Sequence, residues 1–245
     1  MPGMSALTVE QARDLKPDLI ELKVDGSRIT YTGSALMSDR DVDRSTRYQH
    51  VFDELAKINW TVRGEMAIPG GNILQLNKRV NWHRAKFFIF DLYTYNGKEV
   101  KGTPHQKRIM LEKILAKHNF KNVTLPKKFG SFAMGWRYVL EHDAEGLVLK
   151  DKYGFCNKVK LLKEEKLPIV GHVAGKAKGA FLIDREGIVS KVSGTSTTFL
   201  EAYKLLKRKG AKIFAEIEYA FLTDDGTPYQ PRLRRLGTLD DLSTT

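Results

Sequence analysis

The residues best suited to chemistry form one short run, Lys23-Val24-Asp25-Gly26-Ser27-Arg28, which fits the pattern K-x-D-G-x-R. A lysine ending a β-like run (Leu19 to Lys23) beside an Asp-Gly turn is held in place, and the glycine lets backbone approach a phosphate closely. Such a lysine can attack electrophilic phosphorus once its amine is neutral. An ordinary lysine amine is almost wholly protonated at pH 7, so burial, a bound metal or a second cation must favour the neutral form. A surface hairpin with charges at its tip would show the same residues. Further along lie Glu65, Phe90, Glu145, Lys158 and Lys160. Carboxylates can hold a metal, lysines can neutralise phosphates, and an aromatic ring can offer a stacking face. Each has an ordinary alternative. Phe90 sits in an apolar run that reads as core. Glu65 would be a strand-edge residue, Glu145 an exposed charge, and Lys158 with Lys160 the solvent-facing row of a strand.

The elements that must position these residues are mostly strands. Leu19 to Lys23, Ser27 to Tyr31, Thr61 to Ile68, Lys86 to Tyr93, Glu145 to Lys150 and Lys158 to Leu162 read as β. Helical spacing marks Thr8 to Leu15, Arg47 to Ile58 and Gln106 to Lys117, the last with Ile109, Leu111, Ile114 and Leu115 on or near one face. After the charged cluster Lys163-Glu164-Glu165-Lys166 and Pro168 the texture changes. Short strands at Ile169–Ala174, Ala180–Ile183 and Gly187–Val192 precede a helix from Thr198 to Lys207 and a strand from Lys212 to Leu222. Several short strands with one interposed helix suit a small oligonucleotide-binding β-barrel. The boundary is placed near residue 165.

Composition narrows the partner. The 245 residues carry 41 Lys and Arg against 29 Asp and Glu, a net charge of +12, which suits a polyanion such as a nucleic-acid backbone. The surplus is spread, with 28 cations against 20 acids in residues 1–165 and 13 against 9 in residues 166–245. That favours enclosing a partner over reaching for it with a basic arm. Cys156 is the only cysteine, which excludes an internal disulfide and a Cys-rich zinc site. The N-terminus has no signal-like apolar stretch, and runs such as Phe87–Phe90 are far too short to span a bilayer. A soluble, intracellular (cytoplasmic) protein with no membrane partner is expected.

The order of these motifs resembles the covalent nucleotidyltransferase superfamily of ATP-dependent DNA ligases, RNA ligases and capping enzymes. Lys23 to Arg28 matches its first motif. Val62-Arg63-Gly64-Glu65-Met66 resembles the D-G-E-L segment, and Phe88-Ile89-Phe90-Asp91-Leu92 the next one. Glu145-Gly146-Leu147-Val148-Leu149-Lys150 is close to E-G-[VIL]-[MV]-[VIL]-K, and Lys158-Val159-Lys160 fits K-x-K. The likeness is strong over residues 19–162. Beyond them Ile169-Val170-Gly171, Lys178-Gly179-Ala180-Phe181, Ala215 to Tyr219 and Pro231-Arg232-Leu233-Arg234-Arg235 look ligase-like.

The resemblance implies an α+β fold: a nucleotidyltransferase (ATP-grasp-like) core of antiparallel sheets with helices over residues 1–165, then an OB-fold β-barrel over 166–245. It implies a minimal DNA ligase sealing 5′-phosphate/3′-hydroxyl nicks through a lysyl-AMP intermediate, with ATP and Mg²⁺ as cofactors. The partner would be nicked duplex DNA, with or without RNA, enclosed by a monomer. Lys23 would be the nucleophile. Glu21, Arg28, Arg40, Glu65, Phe90, Lys158 and Lys160 would bind the nucleotide, Glu65 at the ribose and Phe90 on adenine. Glu145 and Asp25 would serve the metal. Only 22 residues precede Lys23, which favours ATP over NAD as donor, and so small a ligase suits a phage or virus. The sequence departs from the family at the end. The expected R-x-D-K is replaced by Leu236-Gly237-Thr238-Leu239-Asp240-Asp241, leaving Arg232, Arg234 or Arg235 to orient pyrophosphate. The stretch from Glu145 to Lys158 is short, implying a trimmed loop. Rival readings are an RNA ligase, a capping guanylyltransferase, and a nucleic-acid-binding protein that keeps the fold without turnover.

Overall fold

The computed structural model describes residues 5–175, 179–193 and 195–243. The chain divides into two compact units, Met1–Lys160 and Leu161–Thr245. The first unit runs β1 (Ser5–Ala6), α1 (Val9–Arg13), β2 (Leu19–Leu22), β3 (Ser27–Tyr31), β4 (Leu36–Ser38), α2 (Gln49–Leu55), β5 (Trp60–Ala67) and α3 (Ile73–Asn77). It continues through β6 (Lys86–Tyr95), β7 (Lys98–Glu99), α4 (Pro104–Lys117), β8 (Val123–Thr124), β9 (Lys128–Phe129), α5 (Phe132–Glu141), β10 (Gly146–Lys150) and β11 (Cys156–Lys160).

Its strands form two sheets. One has the order β1-β11-β10-β2-β9; the other has the order β4-β3-β5-β6-β7, with β8 pairing to β6. Pairing is antiparallel except β1 with β11 and β6 with β8. The main core lies on the second sheet, where Ile29, Tyr31, Val62, Met66, Phe87, Ile89 and Leu92 are buried with residues from α2 and α4. Alternation along the strands supplies this face.

Two expectations change here. The Asp25-Gly26 step is not a hairpin turn: β2 pairs with β10 and β9 while β3 pairs with β4 and β5. Residues 23–26 therefore carry the chain from one sheet to the other. Gly26 lies against β5, where a Cβ would meet the Met66 carbonyl oxygen at 2.2 Å. The glycine serves close approach between protein backbones. In α4, a capping box from Thr103 and Gln106 with Pro104 at the first turn starts the helix two residues earlier than its apolar spacing suggests. Its inward face is Arg108, Leu111 and Ile114, whereas Ile109 is exposed.

The second unit contains β12 (Lys163–Val173), β13 (Ala180–Arg185), β14 (Ile188–Val192), α6 (Thr197–Arg208), β15 (Phe214–Tyr219), β16 (Arg232–Gly237) and α7 (Leu239–Ser243). The strands form one sheet in the order β14-β13-β12-β15-β16 around a core of Phe181, Ile183, Val192, Ala215 and Ile217. The expected barrel is not closed by a ladder among the described residues. The outer strands meet through a single parallel bridge, Ser193 with Arg232. The charged cluster at which the texture changes is the first half of β12, where Lys166 lies opposite Glu216; alternation exposes Glu164 and Lys166 and leaves Lys163 and Glu165 half-buried. Lys178, in one of the ligase-like segments, lies outside the described residues. No described helix is long and apolar enough to cross a membrane.

Candidate active site

The crossing from β2 to β3 places Lys23 at the junction of the two sheets of the first unit. Its backbone N–H donates to the Gly146 carbonyl (2.9 Å), which extends the β2–β10 ladder by one residue and fixes the base of the side chain. Lys23 Nζ then donates to Glu145 Oε2 at 2.6 Å, and Lys160 Nζ lies 2.7 Å from Glu145 Oε1. Glu145 thus joins two lysines brought together from opposite ends of a 138-residue stretch. Lys158 lies two residues before Lys160 on the same strand, opposite Val148, and is half-buried.

Beside Lys23 opens a cleft of about 490 Å³ lined by residues from both sheets, among them Glu21, Lys23, Arg28, Glu65, Phe90 and Lys150. Phe90 faces the cleft rather than the core because of a β-bulge. Arg63 pairs with Asp91 and Gly64 with Ile89, so Phe90 is the extra residue of β6. A bulge re-aims one side chain, while Ile89 and Leu92 on either side are fully buried. The carbonyl of Phe90 accepts from Lys150 Nζ at 2.7 Å, and the same ammonium sits 5.3 Å from the ring centroid. Gly64 makes room opposite the bulge, since a Cβ there would lie 2.5 Å from the Phe88 carbonyl oxygen.

The floor is ionic. Glu21, 2% exposed, accepts from Lys150 Nζ at 2.7 Å and from Arg108 Nη1. Arg108 also donates to the Pro126 carbonyl. Sequence reading missed both Arg108 and Lys150. Lys150 closes the E-G-L-V-L-K motif, a usable signal; nothing in the sequence around Arg108 marks it.

Acids and cations interleave around Lys23. Burial pushes the Glu65 carboxyl up to about 7; Lys23 and Arg28 oppose the rise, and Glu145 and Asp25 add to it. Burial, then the charge on Glu145, also raises Asp25 above the usual carboxylate range. Asp25 Oδ2 accepts from the backbone N–H of Ile73 (3.1 Å), tying the motif to the start of α3. Arg28 stands opposite Glu65 across β3 and β5. Arg28 Nη1 is 3.5 Å from Asp39 Oδ2, and its Nε is buried without a hydrogen-bond partner among the described residues. In Ser38-Asp39-Arg40 it is therefore Asp39 that reaches the first motif, bridging Arg28 and Arg63. Arg40 is exposed in the turn after β4 and does not line the cleft.

In the second unit, Arg234 pairs with Glu218 at 2.6 Å, and Arg235 lies 3.7 Å from Glu216 and donates to the Asp241 carbonyl. Arg232 is exposed and makes no ion pair among the described residues. The segment replacing R-x-D-K starts α7. Asp241 Oδ2 accepts from Thr238 N–H at 2.8 Å, and Thr238 Oγ1 accepts from Asp241 N–H. Such reciprocal bonds start a helix.

Solved structures share this architecture. A Lig E DNA ligase, from work on DNA binding with a minimal scaffold, matches 97% of this chain and 100% of its own at a TM-score of 0.71 and 16% identity. The chain has the fold of the minimal ATP-dependent DNA ligases. The ligase domain of LigD from M. tuberculosis matches 96% of this chain and 94% of its own (TM-score 0.58, 18% identity). A mycobacterial DNA ligase D complexed with ATP and MES matches 96% and 95% (TM-score 0.54, 20% identity). No family model and no curated protein matches the sequence.

Proposed function

We propose that the chain is an ATP-dependent DNA ligase that seals nicks with 5′-phosphate and 3′-hydroxyl ends through AMP bonded to Lys23. The observation that carries this reading is the placement of Lys23 Nζ, held by Glu145 at the rim of a cleft walled by Phe90, Glu65 and Arg28. In the first step the ε-amine attacks the α-phosphorus of ATP; a P–N bond forms and the bond to pyrophosphate breaks. The 5′-phosphate oxygen of the nick then displaces Lys23 to give a 5′-to-5′ linked AMP. Finally the 3′-hydroxyl attacks that phosphate and AMP leaves. Each step depends mainly on positioning and on stabilising charge.

Phe90 would stack on adenine, Glu65 would accept from the ribose hydroxyls, and Glu21 would act as the fixed floor that keeps Lys150 against Phe90. The unsatisfied Arg28 Nε suits a ribose or phosphate oxygen. Lys158 and Lys160 would neutralise the phosphates. Glu145 and Asp25 are assigned to a Mg²⁺ shared with phosphate oxygens: burial, then the charge on Glu145, raises the Asp25 carboxyl, a divalent cation would relieve that repulsion, and Mg²⁺ commonly takes one or two carboxylates plus phosphates. When bound, the ion would offset charge building on the α-phosphate.

The second unit is read as an oligonucleotide-binding module. Its strand order, the helix between β14 and β15, and the parallel contact of the outer strands support that reading. Arg232, unlike Arg234 and Arg235, is not engaged by a glutamate and is the arginine proposed to orient pyrophosphate.

Incubation with a nicked duplex, ATP and Mg²⁺ should convert the labelled strand to its sealed length, and Arg232→Ala should slow this about 10²-fold while sparing a nick that already carries 5′-AMP. A protein that takes label from ATP yet seals neither DNA nor an RNA-containing nick would refute the ligase reading.

A further inference from the structure

We propose that a second cleft in the first unit, on the face of its first sheet opposite the nucleotide cleft, is a binding groove for single-stranded nucleic acid. Ile20 and Glu21 are neighbours on β2, so their side chains point to opposite faces. Glu21 lines the nucleotide cleft, and Ile20 lines this second one, an open groove of about 1340 Å³ between the α1–β2 connection and α5. None of its twelve lining residues is acidic. Arg13 and Lys16 stand on one side and Arg137 on the other. Arg13, Lys16 and Arg137 make no ion pair among the described residues, and the Arg13 charge also acts on Glu10, an exposed residue on its own helix.

The surface between these cations is aromatic and apolar. Phe132 and Trp136 lie parallel, 5.9 Å apart at an interplanar angle of 10°, and Leu140 is 56% exposed one turn further along α5. Cations on both rims with an aromatic ring between them match what a flexible polyanion carrying planar bases requires: phosphates take the rim and a base takes the ring. An acidic peptide would use the cations but gain little from the indole. A duplex would present paired, stacked bases that cannot reach it. The inference rests on nucleic acid being the partner of this protein, but not on its sealing activity.

The groove is tested with a fluorescent oligothymidylate bearing a 5′-hydroxyl, which cannot be sealed, by anisotropy without ATP over a range of salt. Arg13→Glu with Arg137→Glu should weaken binding at least tenfold. Their removal should flatten the plot of log K against log salt by about 1.4, two contacts at about 0.7 each for a single strand. Trp136→Leu should weaken binding several-fold with no change in slope, and the oligonucleotide should quench wild-type emission more than that of Trp136→Phe. Each variant must keep the wild-type circular dichroism and its self-labelling by ATP; if the charge reversals disturb the fold, Arg13→Gln with Arg137→Gln replaces them. Unchanged affinity and slope in folded variants would overturn the groove. So would poly-glutamate binding as tightly as the oligonucleotide with indifference to Trp136. Failure of wild-type self-labelling would instead count against the ligase reading and leave the anisotropy result standing.

Discussion

The floor and the mouth of the proposed nucleotide cleft are built from the same device, an acid held between two cations, in different surroundings. At the floor Glu21 is held between Arg108 and Lys150; at the mouth Glu145 is held between Lys23 and Lys160. The difference is water. The Glu21 side chain is 2% exposed and its partners 8% each, whereas Glu145 is 12% exposed and its lysines 19% and 32%. Charges that deep are tolerable only with every partner in place, so the floor is fixed architecture. Charges nearer solvent can exchange partners, as the proposed transfer of AMP to Lys23 requires. A bridging carboxylate by itself therefore does not mark catalysis; its access to solvent and ligand does.

The contrast can be broken by mutation. Glu21→Ala leaves two cations buried without a counter-charge and should cost about 3–5 kcal/mol, a fall in melting temperature on the order of 10 °C. A melting temperature close to wild type would mean the floor is not the rigid element described. Glu145→Gln should do the reverse, slowing self-labelling by about 10²–10³-fold with little change in melting. Loss of stability there with normal labelling would invert the comparison.

Smaller effects sharpen it. Phe90→Ala removes a stacking surface worth roughly 1–3 kcal/mol, so half-maximal labelling should need about five- to 150-fold more ATP, whereas Phe90→Tyr should be tolerated. A folded Phe90→Ala protein with unchanged ATP dependence would assign the ring to packing alone. Glu65 gives the pH signature. Its carboxyl is raised in the folded state to about 7, above its unfolded range, so folding favours the protonated form. That contribution is full below the unfolded pKa and is lost as pH rises toward and through about 7. Wild-type stability should therefore decline from about pH 4.5 to 7, by on the order of 2 kcal/mol from this group, and Glu65→Gln should flatten the curve over that window. Matching pH profiles of denaturation for the two proteins would contradict it.

What the sequence revealed follows from how local each signal is. Lys23, Asp25 and Arg28 share one six-residue run, and Glu145 with Lys160 flank a short hairpin, so their motifs were readable in the chain and in order. The trimmed segment after Glu145 is this hairpin, whose five-residue loop joins Lys150 to Cys156. Phe90 was readable only as a choice between core and platform, since its exposure depends on one extra residue in β6 that pairing alone reveals. Arg108 was invisible because its partner lies 87 residues away, and charged residues on helices usually face water. Barrel closure was less legible for a related reason: strand lengths and turns are local, while closure depends on two outer strands that share one bridge among the described residues. Thr238 and Asp241, which looked like a damaged motif, are a helix start.

The central claim is that one lysine, Lys23, becomes bonded to AMP. The direct measurement is to incubate the protein with ATP and Mg²⁺, digest it, and locate the added AMP by peptide mass spectrometry. The expected result is a single modified peptide with AMP on Lys23, absent from Lys23→Ala. AMP on another lysine, or a modification that persists in Lys23→Ala, would contradict the account.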